Sequence, residues 1–131
     1  MAIPLNDAAR RLLDGKNFAT IATLNSDGSP QTSVVWVKRD GDTVLFSTKQ
    51  SRIKARNVAS DPRVSLSIFD TANPYTSVDI HGIATLTVDE GRTLPKDLSQ
   101  KYLGEDPPPE PADVVRLIVR VTPEKVTGFS T

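Results

Sequence analysis

The sequence has no cysteine and a single histidine, and both shortages narrow the chemistry available to the protein. Without cysteine there are no disulfides, no thiolate nucleophile and no cysteine-ligated metal or iron–sulfur site. With His81 alone and no Gly-x-Ser-x-Gly motif, we do not expect a hydrolytic triad. The carboxylates are scattered through predicted turns, so the sequence predicts neither a paired acid/base site nor a metal centre.

A net charge is also missing, because 16 Lys and Arg residues balance 16 Asp and Glu residues. No overall field favours nucleic acid or an anionic membrane, and any affinity for anions must come from a local cluster. The sequence has no apolar run of membrane-spanning length and no signal pattern at its N-terminus. We therefore expect a soluble cytoplasmic protein with no nucleic-acid or membrane partner, folded as a single domain over residues 1–131.

The first half of the chain predicts one helix followed by strands. Residues 6–15 are typical of a short helix, with Asn6 as its N-cap and Gly15 as a left-handed stop. Residues that favour β structure then alternate with turn residues such as those at 25–30 and 39–42. These patterns predict a three-stranded meander of strands at residues 18–24, 31–38 and 43–48.

The second half predicts a helix after residue 51, a strand over residues 63–69, and a long strand over residues 77–88. The long strand is expected to bend at Gly82, where the missing side chain permits a bulge or a close backbone approach. A helix is predicted within residues 92–103, with Pro95 in its first turn. A last strand covers residues 114–121 and continues at 125–129, which gives about seven strands and three short helices, typical of an antiparallel barrel.

Several predicted strands carry apolar residues on both faces, as Trp36 does with its neighbours Val35 and Val37. One face fills the barrel, and the other needs a helix or a second subunit to cover it. With few helices available, this pattern favours a homodimer packed sheet to sheet. The alternative is a monomer in which the helices cover those faces.

The densest group of cations lies in Ser-Arg-Ile-Lys-Ala-Arg-Asn at residues 51–57. A helix N-terminus there would offer free N–H groups and partial positive charge, with Ser51 as its cap and Arg52 and Lys54 adding full charges. Lys54 lies about 200° around an ideal helix from Arg52, so both can meet one anion only in the entering turn. The cluster predicts a phosphate-bearing ligand, and the alternative is a solvated basic surface.

Four sequence segments then occur in a distinctive order after the N-terminal helix. They read Ala-Thr-Ile-Ala-Thr at 19–23, Asp-Gly-Ser-Pro-Gln at 27–31, Ser-Arg-x-Lys-x-Arg-Asn at 51–57 and Asp-Pro-Arg at 61–63. In this order the chain resembles the pyridoxamine 5′-phosphate oxidase-like split β-barrel superfamily, in particular its small deazaflavin (coenzyme F-420)-dependent oxidoreductases. The resemblance implies a mainly β fold with short helices, an antiparallel split β-barrel of the FMN-binding type, and a homodimer with cofactor sites at the subunit interface.

The resemblance also implies a function, namely hydride transfer between coenzyme F-420 and an unsaturated or carbonyl-type small molecule, with the coenzyme supplying the chemistry. One alternative is an oxidoreductase of the pyridoxamine phosphate oxidase type that binds FMN. Others are a non-catalytic flavin- or tetrapyrrole-binding protein and an interaction module without a cofactor. No catalytic residue is assigned, and the substrate proton is expected from solvent or from His81.

The residues that the resemblance implies for cofactor binding fall into three groups. The phosphate would be held by Ser51, Arg52 and Lys54, with Thr48 and Lys49 along the approach. The ring system would lie along the strand that contains Ser33, Val34, Val35 and Trp36. A neighbouring subunit would contribute Tyr75 as an aromatic wall. For Trp36 the alternative is core or interface packing, and for Tyr75 it is an exposed loop position.

Overall fold

In the computed structural model, which describes residues 2–129, seven antiparallel strands form one sheet beside three α-helices. The strands are β1 (Ala19–Leu24), β2 (Pro30–Val35), β3 (Lys38–Asp40), β4 (Thr43–Lys49), β5 (Arg63–Phe69), β6 (Ser77–Val88) and β7 (Arg116–Phe129). The helices are α1 (Asp7–Asp14), α2 (Ile53–Ser60) and α3 (Thr93–Leu103). The expected mainly β fold with short helices is confirmed.

The strand order is β2-β1-β5-β6-β7-β4-β3, which places β2 and β3 at opposite edges of the sheet. Only Trp36 and Val37 separate these two strands along the chain. Since consecutive Cα atoms are about 3.8 Å apart, the two edges approach within about 11 Å at this connection. The sheet must therefore curl back on itself, as expected for a split barrel.

The prediction of one strand over residues 31–38 is wrong, and so is the three-stranded meander. The β1–β2 hairpin forms as predicted, but β4 pairs with β3 and β7 and not with β2. The chain changes from one sheet edge to the other at Trp36 and Val37, so the apolar run contains two strands with different partners. This change of partner depends on the curl of the whole sheet.

The interior of the barrel is filled by inward-facing residues of β4 to β7, which alternate with outward-facing ones. Fully buried examples are Val44, Phe46, Ile68, Ile80 and Val119. Helix α1 adds Ala9, Leu12 and Leu13 to the same cluster, and α2 adds Val58. These helices therefore belong to the core of the barrel.

The ends of α1 confirm one sequence prediction and correct another. The side chain of Asn6 accepts a hydrogen bond from the Ala9 amide at 2.8 Å, as expected for an N-cap. Gly15 has a φ of −80°, so its predicted left-handed conformation is wrong. A Cβ atom at Gly15 would lie 2.9 Å from Nδ2 of Asn17, which shows that the glycine serves a close approach.

The start of α2 also differs from the prediction, because Arg52 occupies the N-cap position that was predicted for Ser51. The Arg52 amide donates to the Lys49 carbonyl at 3.0 Å, and this turn holds Ser51 ahead of the helix. No side chain caps α2, and its first turn contains no acidic residue. The helix thus begins with uncompensated partial positive charge.

Helix α3 covers part of the outer face of the sheet. Leu94 and Leu98 of α3 pack on Leu45 of β4, with Trp36, Tyr102 and Ile118 partly buried against them. Leu45 faces outward because it alternates with the inward-facing Val44 and Phe46. The structure therefore places a helix over part of the outer apolar face, for which the sequence pattern favoured a second subunit and gave a covering helix as the alternative.

Gly82 lies at a β-bulge, as predicted. The register of β6 and β7 shifts between His81 and Gly82, and Gly82 lies opposite Pro123. A Cβ atom at Gly82 would lie 2.3 Å from the carbonyl oxygen of Thr122. The close approach lets β7 run without interruption through Pro123, where two separate strand segments were expected.

Asp89 caps α3, a role that the sequence did not reveal. Its carboxylate accepts hydrogen bonds from the amides of Thr93 and Leu94 at 3.0 and 2.9 Å, and its side chain is buried. We expect Asp89→Ala to lower the free energy of unfolding by about 2 kcal/mol, because two amides, one buried and one partly buried, lose their acceptor. Urea unfolding measures this loss, and the exposed neighbour variant Glu90→Ala should stay near wild type. Equal losses in both variants would contradict the capping role.

Candidate functional site

A cavity of about 320 Å³ opens where the end of β2 faces α2 and α3. We call it the Trp36 cavity. One wall comes from the β2 end and another from α3 and the proline-rich segment that follows it. The lining residues are Val34, Val35, Trp36, Ser47, Lys54, Pro95, Leu98, Ser99, Pro107 and Arg116. Apolar walls with a few polar groups between them are typical of sites for small organic ligands.

Lys54 brings positive charge to this cavity from the first turn of α2. Its Nζ atom donates to Oγ of Ser33 at 3.3 Å. Burial lowers the pKa of Lys54, and the neighbouring charge of Arg52 lowers this pKa further. Among residues 2–129, no carboxylate forms an ion pair with Lys54 or Arg52. An anion bound here would raise the pKa of Lys54 again and would also compensate the partial positive charge at the uncapped start of α2.

Arg116, the second cation that lines the cavity, already has a partner. Its guanidinium binds the Glu110 carboxylate, with Nε at 3.1 Å from each oxygen. This ion pair holds the pKa of Glu110 below its usual range, and Lys49 makes a smaller contribution in the same direction. The uncompensated positive charge at the site is therefore that of Lys54 and Arg52.

Two hydroxyl groups at the end of β4 point to opposite sides of the strand. The Ser47 hydroxyl belongs to a residue that lines the Trp36 cavity, whereas Thr48 is 2% exposed on the face that carries Phe46. Within residues 2–129 neither buried hydroxyl has a hydrogen-bond partner. Ser47 therefore lines the Trp36 cavity with its hydroxyl oxygen covered, and the Thr48 side chain lies on the opposite face of β4.

Trp36 contacts α3 on one side and lines the cavity on another. Its ring stacks on the ring of Tyr102, with centroids 5.1 Å apart and planes 8° from parallel. Phe18 continues the stack on Tyr102 at 5.6 Å. The packing role that was the alternative for Trp36 is confirmed, and its place at the cavity leaves the ring available to a ligand.

Tyr75 and His81 lie apart from the Trp36 cavity within one chain. Tyr75 is 68% exposed in the loop between β5 and β6 and does not line the cavity. His81 pairs with Oγ of Ser65 at 2.7 Å through Nδ1 and lines a separate cavity of about 410 Å³ that shares no residue with the first. Within a single chain, His81 is therefore not positioned to give a proton to a ligand in the Trp36 cavity.

The described part of the chain contains neither a candidate metal site nor a candidate membrane-spanning helix. In residues 2–129, no group of three His, Asp or Glu side chains is arranged to hold a metal ion. In the same residues, no helix combines the length and the hydropathy that a membrane span requires.

A sequence model of the pyridoxamine 5′-phosphate oxidase family matches residues 5–130. The chain belongs to this family. Among solved structures, an F-420 reductase superimposes with a TM-score of 0.84 at 28% identity, over 94% of this chain and 98% of that chain. These comparisons confirm the split-barrel superfamily that the sequence segments indicated.

Two solved structures of lower sequence identity share the fold. A putative pyridoxamine 5′-phosphate oxidase from Listeria innocua has a TM-score of 0.72 at 20% identity, over 95% of this chain and 98% of that chain. A pyridoxamine 5′-phosphate oxidase-related, FMN-binding protein from Nostoc punctiforme has a TM-score of 0.65 at 16% identity, over 86% of this chain and 73% of that chain. At these identities the likeness concerns the fold alone.

In this member of the pyridoxamine 5′-phosphate oxidase family, the structure brings together part of the predicted cofactor site. At or beside the Trp36 cavity lie Ser33, Val34, Val35, Trp36 and Lys54, with Arg52 close enough to affect the pKa of Lys54. Outside its lining lie Thr48, Lys49, Ser51 and Tyr75. Binding of a cofactor by any of these residues stays a prediction.

Sequence reasoning on this family member missed Ser47, Arg116 and the wall formed by α3. Ser47 shares the outward face of β4 with Leu45, so the two-residue period of a strand contained a signal for it. The α3 wall had no comparable signal, because it depends on how a distant helix docks on β4. Arg56, the third cation of the cluster, lines two other cavities and does not converge with Lys54.

Proposed function

We propose that this chain is an oxidoreductase that binds the deazaflavin coenzyme F-420 and transfers a hydride between it and an unsaturated or carbonyl-type small molecule. The observation that carries the proposal is the uncompensated charge of Arg52 and Lys54 beside a cavity walled by Trp36. The likeness to an F-420 reductase at 28% identity supports the choice of coenzyme. A phosphorylated, planar cofactor matches both the charge and the apolar wall.

Arg52 and Lys54 would hold the cofactor phosphate, together with the free amides at the start of α2 and the Ser51 hydroxyl in the preceding turn. The ring system would lie along residues 33–36. Because β2 is an edge strand that pairs only with β1, its outer N–H and C=O groups are available to the heteroatoms of such a ring. Val34 supports this arrangement, since it is 67% exposed at the cavity.

When bound, the coenzyme would supply the hydride chemistry. The chain would position the ring and exclude water from it, with Trp36 and Leu98 as apolar walls. The side chains described at the cavity include no Asp, Glu or His, and we propose that solvent supplies the substrate proton. FMN carries a phosphate that the same residues would bind, so the preference between the two cofactors is an outcome of the test.

We further propose a homodimer whose second copy completes the site. Large apolar side chains stay exposed on a single chain: Val34, Tyr75, Val88 and Leu103 are each more than half exposed. Tyr75 would reach a cofactor only from a second copy, because it does not line the cavity of its own chain. Light scattering after size exclusion should give the mass of two chains, and a monomer at all concentrations would contradict this proposal.

Turnover tests the enzymatic part of the proposal. Chemically reduced coenzyme F-420 is mixed with the protein and with α,β-unsaturated ketones or quinones, for example cyclohex-2-enone and menadione. We expect protein-dependent oxidation of the coenzyme with at least one acceptor. The return of the coenzyme's visible absorbance measures this oxidation. Tight binding of the coenzyme with no oxidation by any acceptor would favour a non-catalytic binding protein instead.

A further inference from the structure

Two consecutive side chains in the last turn of α3 form hydrogen bonds with the connection between β2 and β3. Nζ of Lys101 donates to the carbonyl oxygens of Leu13 and Val37 at 2.5 and 2.7 Å. The Tyr102 hydroxyl donates to the Asn17 carbonyl at 2.5 Å and accepts from the Val37 amide at 3.2 Å. Both backbone groups of Val37 are therefore bound by α3.

These contacts lie where the chain makes no strand-to-strand hydrogen bonds of its own. Trp36 and Val37 lie between the end of β2 and the start of β3, where the chain changes from one sheet edge to the other. Val37 is fully buried, so its amide and carbonyl need partners inside the protein. Lys101 and Tyr102 supply those partners and join the connection to the end of α1 and the residues before β1.

Lys101 and Tyr102 also determine where the Trp36 ring lies. The Tyr102 ring packs against it at 5.1 Å with nearly parallel planes, and the Lys101 ammonium lies 4.9 Å from the centroid of the Tyr102 ring. Trp36 in turn lines the cavity beside Lys54. A shift of the α3 end would therefore move the Trp36 wall and the adjoining edge of β2 together.

We propose that Lys101 and Tyr102 are positioning residues for the cofactor site: they fix the Trp36 wall and the edge of β2 against which a planar ring would bind. The ligand in this statement rests on the proposed function above. Lys101 and Tyr102 act through Trp36 and Val37 and do not line the Trp36 cavity themselves. A helix that merely covers the sheet would need only the apolar contacts of Leu94 and Leu98.

The test uses the full chain with Lys101→Met and Tyr102→Phe, because each removes the polar contacts and keeps most of the packing. Lys96→Met is the matched control, since Lys96 is exposed on the same helix. Equilibrium dialysis gives the affinity for coenzyme F-420 and for FMN. Fluorescence anisotropy and iodide quenching of Trp36, the single tryptophan of the sequence, report the freedom of its ring without any ligand.

We expect each α3 variant to weaken binding of the preferred cofactor about tenfold, the effect of losing roughly one well-placed hydrogen bond. We also expect lower Trp36 anisotropy and faster quenching in both variants, with Lys96→Met unchanged. Affinity and Trp36 signals equal to wild type in folded variants would overturn the proposal, even if the variants melt earlier. If Lys101→Met does not fold, the milder Tyr102→Phe decides the result.

A failure of the proposed function would give a different combination of affinities and Trp36 signals. If the wild-type protein binds neither coenzyme F-420 nor FMN, the assignment of the cofactor is wrong. The Trp36 measurements on the ligand-free variants then decide the positioning role alone. Increased freedom of Trp36 supports this role, and unchanged anisotropy and quenching overturn it.

Discussion

Replacing Arg52 and Lys54 together with alanine is expected to weaken the binding of coenzyme F-420 at least a hundredfold while the fold survives. Each charge-assisted hydrogen bond to a phosphate contributes about 1.5–3 kcal/mol, or roughly ten- to a hundredfold in affinity. The fold should survive because neither side chain forms an ion pair in residues 2–129. Calorimetric titration measures the affinity, and thermal unfolding checks the fold.

The matched control for this experiment removes two cations elsewhere. Arg11→Ala with Lys96→Ala removes two exposed cations from α1 and α3 and so changes the net charge by the same amount. We expect this control to keep its affinity within about twofold of wild type, because neither side chain lines the Trp36 cavity and exposed charges are screened by salt. Similar losses in both double variants would assign the effect to overall charge and would contradict a local phosphate site.

Gly82→Ala is expected to lower the free energy of unfolding by about 3 kcal/mol, because overpacking at a rigid contact is costly. The new Cβ atom would lie 2.3 Å from the Thr122 carbonyl oxygen and 3.2 Å from Cα of Pro123. Both atoms belong to backbone, so relief requires β6 and β7 to separate at the bulge. Urea denaturation measures the change, with the slope of the transition as a check on two-state unfolding.

Gly128→Ala is the matched control, since Gly128 of β7 pairs with Val78 of β6 and so lies in the same pair of strands as Gly82. A Cβ atom there would meet its nearest neighbours at 3.8 Å, which is ordinary van der Waals contact. We expect a change within about 0.5 kcal/mol. If both glycine variants lost equal stability, the loss would reflect glycine in strands generally, and the close approach at the bulge would not be its cause.

The strands that sequence patterns predicted best are those with strict alternation. The predicted strand at residues 63–69 has the bounds of β5, because Val64, Leu66 and Ile68 alternate with polar residues and point into the barrel. The prediction failed at residues 31–38. The consecutive apolar residues there do not indicate that the chain pairs with a different strand after Trp36 and Val37. Local periodicity contains no information about which sheet edge a strand joins.

The candidate site was predictable to the extent that it depends on local chemistry. The cation cluster and the apolar strand before it pointed to Lys54 and Trp36, and the structure places both at one cavity. The hydrogen bonds of Lys101 and Tyr102 with Val37 were not predictable, because these contacts span more than 60 positions of the chain. Ser51 was assigned as a cap from residue type alone, and the turn at Lys49 moved the start of the helix by one residue.

A calorimetric titration of the wild-type protein with coenzyme F-420, repeated with FMN under the same conditions, tests the proposed cofactor site most directly. We expect saturable binding of coenzyme F-420 with a Kd of about 1 μM or tighter, and weaker binding of FMN. Tighter binding of FMN would contradict the choice of coenzyme, and no saturable binding of either compound would contradict a cofactor site at the start of α2.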